Sequence, residues 1–76
     1  MQRPKSIAEA RRRKGLTQQQ LAEKVPMERA QLSRIESGHV QAPRLRVLVG
    51  LARVLRMPLA EVIRLNGLAF RNGHPS

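Results

Sequence analysis

Arginine and lysine supply most of the polar chemistry in this sequence. Fifteen of them stand against five glutamates, with no aspartate and no cysteine, giving a formal charge of +10 in 76 residues. Residues 1–14 carry six basic side chains and one acidic, residues 15–38 carry three of each, and residues 39–76 carry six against one. Two basic flanks around a neutral centre attract polyanions, with DNA, RNA and anionic lipid all eligible. A guanidinium adds direction to the charge, because its planar fork fits phosphate oxygens and the O6 and N7 acceptors of guanine.

Other chemistries are poorly served. Phe70 is the one aromatic residue, so no platform exists on which unpaired bases could stack, which counts against single-strand and most RNA recognition. His39 and His74 lie far apart, and no glycine-rich phosphate cradle is present. The chain therefore does not read as an enzyme, and no cofactor or metal is expected. Without cysteine there is neither a disulfide nor a thiolate zinc site, which suits a reducing cytoplasm. The first fifteen residues hold no apolar run resembling a secretory signal. Arginine interrupts every apolar stretch well short of the ~18 residues that a membrane span requires.

The residues that position this charge read as an all-α chain of four to five short helices. Thr, Val and Ile never alternate with polar residues in the period of two that marks a strand. Residues 4–14 read as a first helix with Ile7 and Ala10 inward, ended by Gly15. Thr17 with Gln20 three residues later matches a capping box, and Leu16 and Leu21 can close its hydrophobic staple. Leu21, Ala22 and Val25 continue an inward stripe until Pro26, which stops the helix and is expected to push Val25 out of the α region. A third helix over residues 28–37 turns Leu32 and Ile35 inward, with Gly38 as its stop. Pro43 suits the first turn of a fourth helix carrying Leu48, Leu51, Ala52 and Leu55 on one face. Met57-Pro58 breaks the chain, residues 59–64 form a short fifth helix, and the domain is expected to close at residue 66. Residues 67–76 then read as a partly disordered tail and possible dimer contact.

From Leu16 to Gly38 the sequence LTQQQLAEKVPMERAQLSRIESG resembles the helix-turn-helix of the Cro/cI-type (XRE) regulators. The marks are Leu-Thr-Gln, Leu-Ala-Glu-Lys, Leu-Ser-Arg-Ile-Glu and the closing Gly. The likeness continues through APRLRVLVGLARVLRMPLAEV, which is similar to that family's fourth and fifth helices. The resemblance implies a lambda-repressor-like bundle whose second helix crosses the DNA backbone while the third enters the major groove. Thr17, Gln18 and Gln19 then face phosphates, with Gln20 committed to capping.

On the third helix the outward positions are Glu28, Arg29, Ala30, Ser33 and Arg34, the candidate base contacts. Arg34 faces the groove, and Arg29 holds either a base or a phosphate. Glu28 either accepts from cytosine N4 or caps the helix. Arg44 and Arg46 read as first-turn residues of the fourth helix, where the dipole disfavours cations and a DNA phosphate would compensate. The resemblance also pairs Arg11 with Glu36 as a partly buried ion pair joining the first and third helices. Two positions depart from the family pattern: Pro26 stands where glycine is common in the turn, and Glu28 where serine or threonine often starts the third helix.

These residues point to a sequence-specific double-stranded DNA-binding regulator, most simply a repressor, acting as a homodimer in the cytoplasm. Leu59, Leu68 and Phe70 are the expected apolar anchors of the dimer. The alternative is a protein-interaction module that also binds DNA, such as an antitoxin holding a toxin. A third option, an anionic membrane bound through Arg46, Arg53 and Arg56, fits poorly because the opposite side of that helix is needed for the core.

Overall fold

The helix starts follow local chemistry. In the computed structural model, which describes residues 2–73, the first helix α1 spans Ile7–Arg13 and begins at Ser6, whose hydroxyl accepts the Glu9 amide at 3.0 Å. The start expected at residue 4 is therefore too early, and the Ser6-Ile-Ala-Glu9 pattern is the cap signal that marks the true one. Helix α2 spans Gln18–Lys24 behind Thr17. Here the capping box is complete: the Gln20 amide donates to Thr17 Oγ1 at 3.1 Å, and the Thr17 amide donates to Gln20 Oε1 at 2.9 Å.

Helix α2 ends where Pro26 removes an amide donor, but Val25 is not expelled from the α region. It caps the helix at φ −67° and ψ −44°, its amide bonded to the Leu21 carbonyl. Tertiary packing holds it there, since Val25 lies against the core and its side chain abuts Gly50. The Val25–Pro26 peptide is cis. The turn closes without a left-handed residue, through the Met27 amide and the Ala22 carbonyl at 2.7 Å.

Helix α3 spans Arg29–Glu36 with Glu28 in the cap position and no side-chain cap bond. Glu28 is thus a cap by place only. Helix α4 spans Leu45–Leu55, later than its proline suggests. Pro43 is buried and stands outside the helix, while Arg44 takes the extended cap conformation at φ −60° and ψ 145°. Neither Pro43 nor Arg44 therefore belongs to the first turn.

The largest departure from expectation is α5, which runs unbroken over Leu59–Gly73. Asn66 and Gly67, weak helix formers, sit inside it because burial overrides propensity. Val62 and Leu65 are fully buried beside them. Residues 67–73 are thus continuous with the helix, and residues 74–76, including His74 and the end of the expected tail, lie outside the described residues.

Leu21, Leu32, Ile35, Leu51, Val62 and Leu65 form the centre of one core to which all five helices contribute, α1 through Ile7 and Ala10. Each of the leucine, isoleucine and valine side chains among them contributes about 1.5–3 kcal/mol by leaving water. The molecule's shortest dimension is 20 Å, about two helix diameters. Among the described residues there is no strand, and no helix is long and apolar enough to cross a membrane.

Candidate nucleic-acid interface

Four side chains tie α1 and the beginning of α2 to the two ends of α3. Arg11 Nε donates to Glu36 Oε2 at 2.8 Å and its second terminal nitrogen to Oε1 at 3.2 Å, a two-point fork between α1 and α3. The remaining terminal nitrogen of Arg11 donates to the Leu16 carbonyl at 2.8 Å, which fastens the α1–α2 turn to the same group. Glu36 Oε1 also accepts Gln18 Nε2 at 3.0 Å. Gln18 Oε1 in turn faces Arg29 at 3.5 Å, the outer limit of a hydrogen bond. The pair is largely out of water, with side-chain exposures of 12% for Arg11 and 7% for Glu36. A pair so placed specifies how helices dock more than it adds net stability.

This arrangement gives Gln18 work that its sequence position did not reveal. It sits half-buried at the first position of α2 with its amide group directed at Glu36 and Arg29. Capping statistics explain Thr17 and Gln20, but a contact across 18 residues leaves no local signal. Gln19 is exposed and donates to Glu23 one turn on, at 3.1 Å. Thr17 is exposed at the cap.

On α3 the side chains of Arg29, Ala30 and Arg34 are exposed and Ser33 is half-buried, while Leu32 and Ile35 have no exposure at all. Arg34 makes no salt bridge among the described residues. Glu28, at the cap of the same helix, is exposed. Arg44 and Arg46 are exposed at the start of α4, whose first amides no side chain caps. The starts of the first four helices thus divide into two kinds. Those of α1 and α2 are capped by Ser6 and Thr17, and those of α3 and α4 carry no side-chain cap bond. Uncapped amides at a helix start suit an external anion.

A family model described as helix-turn-helix matches residues 7–62, which takes in α1 through α4 and the first turn of α5. The chain belongs to that family, the Cro/cI type of helix-turn-helix. Its fold is the all-α fold of that domain, and its function is DNA binding. No curated protein and no solved structure matches the chain.

On α5, beyond the matched residues, one residue that sequence reasoning passed over also matters for placing the site. Asn66 is buried at 4% exposure and donates to the Gln41 carbonyl at 2.9 Å. It pins the α3–α4 loop, and with it the approach to Arg44, onto α5. Its place four residues after Val62, on the inward stripe of α5, was the available signal.

Proposed function

We propose that this chain is a cytoplasmic, sequence-specific transcriptional repressor that reads the major groove of double-stranded DNA with residues 28–37. The observation that carries this reading is the hydrogen-bonded run from Arg11 through Glu36 and Gln18 to Arg29. It docks the start of α2 and the end of α1 against α3 before any ligand arrives, so less conformational freedom remains to be lost on binding. Arg34 and Arg29 supply bidentate donors for guanine, Ala30 and Ser33 leave room for close approach, and Glu28 is the acceptor for a cytosine amine. Thr17, Gln18, Gln19, Arg44 and Arg46 hold phosphates and fix the register. Gln18 does so while bonded to Glu36, which leaves its second amide hydrogen for the DNA.

A homodimer on a palindromic site completes the reading, since one recognition helix reads too few base pairs to be selective. Leu59 and Leu68 are half-buried against the core, and Phe70 is half-buried on α5. The large apolar side chains left in water are Leu45 at 64%, Val49 at 36% and Ile63 at 48%. Leu45 and Val49 stand one turn apart on α4, and Ile63 stands on α5, which packs against α4. Being more exposed than the expected Leu59, Leu68 and Phe70, these three take their place as the dimer anchors.

Selection of bound sequences from a random duplex pool tests the proposal. The expected product is a two-fold symmetric site with half-sites about 34 Å apart, one helical turn. A pool with no enriched sequence overturns sequence-specific reading, and an enriched but asymmetric site overturns the dimer.

A further inference from the structure

Three helices of this chain end in the same way. After α1 the Leu16 amide returns to the Arg11 carbonyl at 3.2 Å; after α3 His39 returns to Arg34 at 2.9 Å; after α4 Met57 returns to Ala52 at 2.9 Å. Each wrap sets one residue in the left-handed region: Gly15 at φ 71°, Gly38 at φ 84° and Arg56 at φ 55°. Glycine enters that region freely, whereas a side chain there crowds the following carbonyl. Glycine serves the first two caps, and the third keeps an arginine in a conformation that disfavours it.

The Arg56 side chain borders a shallow concavity of about 520 Å³ lined by Lys14, Leu16, Lys24, Arg53, Val54 and Arg56. Four cations converge on it and none of the chain's five glutamates lines it. None of the four makes a salt bridge among the described residues, although Arg11, Arg13 and Arg64 each do. Its floor is apolar, with Leu16 and Val54 half-buried against the core. Lys14, Lys24 and Arg53 stand at or near helix ends where a cation is favourable, which accounts for each of them singly. That account does not require Arg56, because the cap itself would be better served by glycine.

Leu16, at one edge of the concavity, adjoins Thr17, but the Arg53–Arg56 and Lys24 side lies away from the proposed DNA surface. From Arg44 to Arg56 the chain climbs about 18 Å along α4, at ~1.5 Å per residue. Lys24 is likewise at the end of α2 remote from Gln18.

We propose that this concavity binds an acidic segment of a partner protein, a short stretch with Asp or Glu flanking an apolar side chain. The four cations match the acids, and the floor of Leu16 and Val54 matches the apolar group. A nucleic-acid backbone would satisfy the cations but offers nothing apolar to the floor, so the mixed lining favours a peptide.

The test is titration of the isotope-labelled full chain with a synthetic peptide of alternating Glu and Leu pairs, followed by amide chemical shifts. Shifts are expected at residues 14–16, 24 and 53–57. A Leu→Ser analogue is expected to bind about threefold more weakly or worse, and Arg56→Gly to lose about fivefold in peptide affinity or more. Arg56→Gly should melt at the same temperature or higher and should bind duplex DNA within about twofold of wild type. A merely structural Arg56 would leave peptide affinity unchanged, which overturns the proposal. So do shifts spread equally over Arg12, Arg44 and Arg71, the absence of binding at about millimolar peptide, or a random duplex that shifts the same amides and displaces the peptide. The last result would assign the concavity to nucleic acid. None of these outcomes depends on whether the chain is a repressor.

Discussion

Glu36 is the acceptor on which the interface depends, because its two oxygens take donors from both α1 and α2. Removing Arg11 would leave a carboxylate at 7% exposure without its cation. Breaking a buried pair costs about 3–5 kcal/mol, and because both side chains keep some water the lower end is expected. Arg11→Ala should therefore lower stability in denaturant titration by about 3 kcal/mol. Arg13, whose surface pair with Glu9 leaves it 45% exposed, should cost only a few tenths, roughly as other exposed helix pairs do. Arg12, exposed, should cost no more. Equal small losses at all three positions would remove the interhelical pair from the account. Arg34 answers to a different measurement. Arg34→Ala should cost about 1–3 kcal/mol on the selected site and relax preference at one position per half-site. Uniform weakening on all duplexes would make Arg34 a phosphate ligand instead.

Between elements, α4 approaches the end of α2 closely at Gly50. A Cβ added at Gly50 would lie 2.7 Å from Val25 Cγ1 and 3.1 Å from the Val25 carbonyl oxygen, the latter backbone that cannot swing away. In an open helix Gly→Ala stabilises by about 1 kcal/mol. Overpacking costs about 1–3 kcal/mol and should win here, so Gly50→Ala should lower the melting temperature. A rise would mean that α2 and α4 part easily. The start of α4 makes a contrary prediction. Arg44 and Arg46 bring two cations to the positive end of a helix with no side-chain cap. Replacing both with Glu should stabilise the free protein by about 0.3–1 kcal/mol for each residue. The same change should weaken DNA binding at least tenfold, about 1.4 kcal/mol. Unchanged affinity at matched salt would take this helix start off the DNA.

For the whole molecule, the +10 charge sets how binding responds to salt. A dimer making about six to ten phosphate contacts releases the counterions condensed there, and its affinity should fall roughly 10³–10⁵-fold between ~50 and ~200 mM salt. The slope of log affinity against log salt measures this directly, and a nearly flat slope would sink DNA binding through these basic surfaces.

The sequence alone determined whatever is settled within one or two turns of chain. The Thr17–Gln20 box, the glycine stops at 15 and 38, and the inward stripes of Leu21, Leu32, Ile35, Leu48, Leu51 and Leu55 follow from hydrogen bonds and periods spanning a few residues. The start of α1 was equally legible in Ser6 and Glu9. The family resemblance, carried by many residues in one register, supplied the DNA-binding class and the pairing of Arg11 with Glu36. Tertiary structure decided the rest. Asn66 and Gly67 read as punctuation until burial beside Val62 and Leu65 carried α5 through to Gly73. Val25 keeps helical backbone before a proline because α4 brings Gly50 against it. Gln18 reads as a phosphate contact and nothing more until Glu36, eighteen residues on, arrives within 3.0 Å. Arg56 looks like any surface cation until its backbone proves left-handed. In each case the deciding partner is distant in sequence, and no local pattern of residue types encodes a neighbour that only folding supplies.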